Sequence, residues 1–181
     1  MGLKSTPGPP TRTDPPEIAG PPPKGASAGP GGPAASQSAR RAGTRALLYP
    51  AAGFTDWDRD YGEHVHLVRF TPHDWLLPRT AAAVHHGGAG TTHGALAAGV
   101  PQGVIPFSLD QPYFARRVAA LGLGPGGLDP GRTDVEGPTR ILTDLTRGER
   151  AEGYRRRARE AARAVERENG ARTAARILLG S

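Results

Sequence analysis

The 181 residues carry a formal net charge of +6, and with Lys4 and Lys24 the only lysines the excess is arginine, concentrated on a late segment beside glutamates. No cysteine is present, which excludes disulfides and thiolate metal sites, and no apolar run reaches the roughly 18 residues that a membrane span requires. The basic balance reads as a solvated helix face, because a nucleic-acid footprint would bring interleaved aromatics or a recognisable module.

The opening residues lack the apolar core of a signal peptide, so a cytoplasmic protein without integral membrane segments is expected. Met1 to Thr44 holds ten of the nineteen prolines and eight of the 26 glycines, with Leu3 and Ile18 its only large aliphatic residues. Such a stretch buries too little apolar surface to offset its ordering entropy. Residues 1–44 are therefore expected to be a disordered tail, and 45–181 the folded domain.

From Arg45 onward, short apolar runs alternate with helical patterns, the signature of an α/β fold with a parallel sheet flanked by helices. Strands are expected at Ala46–Tyr49, Val65–Arg69, Ala82–His85 and Gly103–Pro106, with a very short fifth near Leu123. Thr91–Ala98 reads as a helix closed by Gly99 as a left-handed cap and then by Pro101. A second helix opens after Asp110–Gln111 with Pro112 in its first turn; Phe114, Val118 and Leu121 share one face, and Gly122 ends it. Val135–Leu145, Arg150–Glu168 and Ala171–Leu179 are further helices, and no internal repeat is visible.

The most informative run is His85-His86-Gly87-Gly88-Ala89-Gly90-Thr91-Thr92, where a strand hands over to a helix. Missing side chains let backbone N–H groups approach an anion, and the helix N-terminus adds unsatisfied donors and a positive dipole end. Thr91 and Thr92 offer hydroxyl donors and His86 a ring donor. Side chains alternate across a strand, so adjacent His85 and His86 cannot both face one ligand, and one of them is structural. The run is neither the Walker pattern nor the dinucleotide fingerprint, and tight packing alone would also call for these glycines.

A second cluster, Pro106-Phe107-Ser108-Leu109-Asp110-Gln111-Pro112, lies at the next strand-to-helix junction. In an open parallel sheet, ligands sit beyond the carboxyl ends of strands, so both clusters are expected to border one crevice. Asp110 and Gln111 offer the acceptors and donors that grip sugar hydroxyls, or Asp110 is no more than a helix cap. His64 and His66 share a strand face, but no third metal ligand is apparent and no metal site is expected.

In order and spacing these residues resemble the inverting GT-B glycosyltransferases that use nucleotide sugars. The likeness rests on Phe70-Thr71-Pro72-His73, the 14-residue step from Pro72 to His86, the His-Gly-Gly-Ala-Gly-Thr-Thr turn, Gly99-Val100-Pro101, and Asp110-Gln111. It is nearest the sterol glucosyltransferase branch, with the macrolide and glycopeptide enzymes close by, through Pro72–Arg79 and Asp110–Val118. The resemblance implies a Rossmann-like domain, the C-terminal half of such an enzyme. It implies that His86, Gly87, Gly88, Ala89, Gly90 and Thr91 hold the donor diphosphate, Asp110 and Gln111 the donor sugar, and Phe70 and His73 the nucleoside. Phe70 would stack on the base or else pack in the core at a strand end, and Trp75 is expected to pack.

Two departures matter. In the family this domain begins with a strand and helix ahead of Ala46, where this sequence has its proline-rich stretch, and the acceptor domain that carries the catalytic base has no counterpart in these 181 residues. Inverting sugar transfer needs a base for the acceptor hydroxyl and fixed donors for the departing diphosphate. The expected function is transfer of a hexose, of UDP-glucose type, to a hydroxyl of a lipid, sterol or natural product. No catalytic residue is expected in this chain and no cofactor beyond the nucleotide-sugar substrate, so the chain alone is expected to be inactive. The alternatives are a non-catalytic nucleotide-sugar binding module that pairs with a separate acceptor subunit, and an inactive truncated remnant.

Overall fold

The computed structural model describes residues 31–49, 60–68, 71–128 and 135–180. Its elements, in chain order, are α1 (Gly31–Arg41), β1 (Ala46–Leu48), β2 (Val65–Leu67), α2 (His73–Leu76) running into a 3₁₀ turn (Leu77–Arg79), β3 (Ala83–His85), α3 (Ala89–Ala97), β4 (Gln102–Val104), α4 (Gln111–Ala120), α5 (Glu136–Thr146), α6 (Gly148–Glu168) and α7 (Gly170–Leu179). Each expected helix is present within about two residues of its expected bounds. The strands are shorter than expected, three residues each.

Helix α1 corrects the expectation that residues up to 44 form a tail. Ala34, Ala35, Gln37, Ala39, Arg40 and Arg41 are good helix formers, and Gly43 at φ 58° ends the run. Averaged over 44 residues, the prolines of the first 30 hide this segment. The helix is anchored by long-range contacts: Ser38 is fully buried and its Oγ donates to the Val135 carbonyl at 3.1 Å, and Ser36 Oγ donates to the Tyr61 carbonyl at 2.6 Å. Ala39 and Ala42 are buried as well. Residues 1–30 lie outside the described part.

Both strand pairs are parallel. Ala46, Leu47 and Leu48 of β1 lie opposite Val65, His66 and Leu67, and Ala83, Val84 and His85 of β3 lie opposite Gln102, Gly103 and Val104. Among the described residues the strands form two two-stranded sheets where one sheet was expected. Near Leu123 the chain runs along the free edge of β4 without forming a regular strand: Gln102 N–H donates to Leu123 O at 2.9 Å and Leu128 N–H to Val104 O at 3.3 Å.

The core lies around β4, whose three residues are all buried. Val104, Ala115, Val118, Leu123 and Ala158 form one cluster, and Leu77, Ala95 and Val100 a second. Helix α5 covers β4 closely because Gly103 has no side chain: a Cβ there would strike Ile141, with Leu145 Cδ1 at 3.1 Å. Burying each of these two side chains stabilises the fold by about 1.5–3 kcal/mol. Gly99 at φ 69° turns the chain from α3 into β4, as its expected capping role requires. Among the described residues no helix is long and apolar enough to cross a membrane.

Candidate functional site

β3 and β4 run parallel, so the junctions that follow them emerge at the same end. They also touch. A Cβ on Gly87 would lie 3.2 Å from the Gln111 carbonyl oxygen and 2.7 Å from Val104 Cγ1, so the glycine turn sits directly against the start of α4. Gly87 holds φ 91°, a conformation that favours glycine, and the space beside it admits nothing larger. The two clusters expected to share a crevice are therefore neighbours.

Helix α3 begins at Ala89, two residues earlier than expected, with Gly88 as its N-cap and no side chain capping it. Its first intrahelical bond is Thr92 N–H to Gly88 O at 3.0 Å. The amides of Gly88, Ala89, Gly90 and Thr91 precede that bond, as the first four donors of any helix do, and have no partner among the described residues. Beside Gly90 there is open space, which an anion could fill. The exposed ring of His86 folds over Gly88, where a Cβ would stand 2.5 Å from its Nε2. Four convergent amides, a helix N-terminus and an imidazole edge are the components of an anion cradle.

Two expected donors are spent elsewhere. The Gly87 N–H donates to His85 Nδ1 at 3.0 Å, so the available amides start at Gly88. The Thr92 hydroxyl is buried and donates to the Gly88 carbonyl at 2.9 Å, which leaves Thr91 as the hydroxyl of the turn. Of the two histidines, His85 is the one turned inward: half-buried, it lies 3.0 Å through Nε2 from Gln102 Oε1. Burial is the main cause that lowers its pKa below 6.5, the charges of His86 and His73 add to that, and the Gln102 bond opposes it. Gln102 is fully buried and its Nε2 has no partner among the described residues, a cost of about 1–3 kcal/mol. Sequence reading missed Gln102; the available signal was an amide at the start of an otherwise apolar strand.

At the second junction Asp110 stands at the N-cap of α4 with its carboxylate exposed and making no capping bond, so it is free for a ligand. Gln111 is half committed. Its Oε1 accepts from Phe107 N–H at 2.7 Å and Ser108 N–H at 3.1 Å, which leaves only its NH₂ for a sugar hydroxyl. Leu109 between them holds φ 56°, uncommon for a branched residue, and is 92% exposed.

His73 opens α2 and packs against Gly94 in the middle of α3, one helical turn on from Gly90. Phe70 lies outside the described residues. Trp75 packs under the Arg79 guanidinium, 4.5 Å from the ring centroid, in line with the expected packing role. His64 pairs with Glu63 at 3.8 Å, and among the described residues no group of three His, Cys, Asp or Glu could hold a metal. A shallow cavity of about 360 Å³ lies along α4, lined by Pro106, Pro112, Ala115, Arg116 and Gly126–Leu128.

Residues 57–174 match the family described as the C-terminal domain of erythromycin biosynthesis protein CIII-like proteins, a match over more than half of the chain. The chain belongs to this family. The EryCIII-like domain is 45% identical over 107 residues to the vancomycin aglycone glucosyltransferase of Amycolatopsis orientalis, an alignment that covers 59% of this chain and 25% of that protein. It is 52% identical over 63 residues to a sterol 3-beta-glucosyltransferase of Arabidopsis thaliana, covering 35% of this chain and 10% of that one.

Among solved structures, the glycosyltransferase VinC in complex with DTDP superposes with a TM-score of 0.60 at 26% identity, covering 71% of this chain and 32% of that chain. Os79 from O. sativa, in complex with U2F and trichothecene, gives 0.64 at 21% identity with the same 71% and 32% coverage, a likeness of fold alone. The EryCIII-like domain thus spans about a third or less of the length of each of these relatives. Its fold is that of the C-terminal half of a GT-B glycosyltransferase.

Proposed function

We propose that this domain binds the donor of an inverting glycosyltransferase that moves a hexose from a nucleoside diphosphate sugar, of UDP-glucose type, to a hydroxyl on a hydrophobic acceptor such as a sterol or natural product. The observation that carries this reading is the set of unpaired Gly88–Thr91 amides beside His86, with the free Asp110 carboxylate at the adjoining junction. The amides and the helix end hold the diphosphate and stabilise its charge as it departs, and His86 donates to it. Asp110 accepts from hydroxyls of the donor sugar while the Gln111 NH₂ donates to one. His73 and Phe70 border the nucleoside.

In this reading the base that takes the acceptor's proton comes from a separate acceptor domain or subunit, since no histidine of the described residues stands beside a carboxylate in the crevice. Binding and transfer therefore separate. No metal takes part, because amide dipoles and the imidazole supply the positive potential. The cytoplasm is the proposed compartment, in keeping with a cysteine-free sequence that has no apolar run of spanning length.

Calorimetric titration of UDP and UDP-glucose tests this. Wild type should bind both, equally in EDTA and in Mg²⁺, and His86→Ala should lose about 1.5–3 kcal/mol, or roughly ten- to hundredfold in affinity. Equal affinities in the two proteins would remove His86 from the site, and sugar transfer by the chain alone would overturn the missing base.

A further inference from the structure

His85 is the histidine the donor reading leaves without a task, yet it is the more constrained of the pair. Its Nδ1 accepts from the Gly87 amide at 3.0 Å, so that nitrogen must carry a lone pair. A neutral ring then has its proton on Nε2, where it donates to Gln102 Oε1 at 3.0 Å. Turning the Gln102 amide over would set NH₂ against N–H, two donors face to face, so the contacts fix tautomer and amide together. Gln102 cannot yield, being fully buried in β4 with its backbone N–H bonded to Leu123 O. A chain of hydrogen bonds thus runs from the buried strand β4, through the imidazole, to the first glycine of the turn.

We propose that His85 is a positioning residue for the donor diphosphate: by holding the Gly87 amide inward, it sets the angle at which the next four amides meet the ligand. This rests on the donor-binding reading above. Gly87 is the only residue between the two histidines' strand end and the helix cap that bonds back into the core, and His86 and Gly88 flank it directly. Without the ring acceptor, the inward Gly87 N–H has no partner, and the peptide between His86 and Gly87 loses the bond that opposes its rotation. That rotation would displace the His86 ring and the Gly88 amide from each other while leaving α3 and β4 in place. His85 itself touches no donor atom in this arrangement; it acts through Gly87.

Two measurements on the full chain decide the matter. In ¹⁵N-histidine NMR spectra His85 should show an unprotonated Nδ1 and a protonated Nε2, with a coupling across the hydrogen bond to the Gly87 amide. The opposite tautomer overturns the proposal with or without ligand. In titrations with UDP, His85→Ala should lose about tenfold in affinity. His85→Asn, whose Oδ1 reaches the position of Nδ1, should recover most of it. A role in packing alone predicts no such recovery, so a His85→Asn protein as weak as His85→Ala, or a His85→Ala protein as tight as wild type, overturns the proposal. Should His85→Ala fail to fold, the tautomer and the His85→Asn affinity still decide. Absence of UDP binding by wild type would instead sink the donor reading, and the positioning role with it, whereas an unmoved His85→Ala affinity removes His85 and leaves that reading standing.

Discussion

The β3–β4 half and the β1–β2 pair are built from the same unit, two short parallel strands in register, and only one of them holds a candidate site. In the first, β4 is buried throughout, Ile141 and Leu145 close over Gly103, and Gly87 is wedged between Val104 and Gln111. In the second, Leu47 is 49% exposed, His66 is exposed, and His64 pairs with the exposed Glu63. A cradle of backbone amides needs its geometry over-determined, and contacts from three elements do that for the glycine turn. The β1–β2 pair is anchored mainly by α1 and carries no such demand.

The largest effect should come from loosening the covered half at its base. Leu145→Ala removes a fully buried side chain and should cost about 2–5 kcal/mol in urea unfolding. A loss below 1 kcal/mol would mean that α5 does not hold β4 as described. Gly87→Ala comes next. Its positive φ and the contact with Val104 should cost about 1–3 kcal/mol of stability. UDP binding should fall with it, because the cradle starts one residue later; a protein of unchanged affinity would show that the turn tolerates distortion.

A pH scan sharpens the comparison further. The His85 pKa is lowered in the folded protein, mainly by burial, so the unfolded chain takes up a proton near 6.5 that the folded one resists. This contribution to stability is complete above 6.5 and is lost as pH falls from there through the lower folded-state pKa. The charges of His86 and His73 also oppose protonation of that ring. The melting temperature of wild type should accordingly drop more between pH 7.5 and 5.5 than that of His85→Asn, which lacks the titrating ring. Parallel curves would remove His85 as the titrating brace. The smallest effect belongs to the other half: Leu47→Ala should change stability by no more than about 0.5 kcal/mol and His64→Ala should leave UDP affinity unaltered.

Much of this was legible in the sequence because the signals were local. Gly87-Gly88 before Ala89, and Pro112 after Asp110-Gln111, mark helix starts through backbone chemistry that acts within a few residues. Alternation along β3 required that one of His85 and His86 turn inward. Which one did so depended on Gln102, seventeen residues away, and on the space left by Gly87 against Val104. The helix at Gly31–Arg41 was hidden for a similar reason. Its Ser36 and Ser38 hydroxyls bond to Tyr61 and Val135, partners that no composition count over residues 1–44 can register.

The sequence by itself determined that a glycine turn follows β3 and opens a helix, and that Asp110 and Gln111 stand at the next junction. Those features follow from the conformational freedom of glycine, the missing N–H of proline and the unpaired donors of a helix start, all set within one turn of chain. Only the tertiary structure decided which donors are left for a ligand. The Gly87 amide donates to His85, the Thr92 hydroxyl donates to Gly88 and Gln111 Oε1 accepts from Phe107 and Ser108, while the amides from Gly88 to Thr91 and the Asp110 carboxylate are left unspent. Each of those bonds spans four residues or fewer, but what sets them is tertiary: Gln102, seventeen residues away, holds His85 beneath the Gly87 amide, and packing buries Thr92.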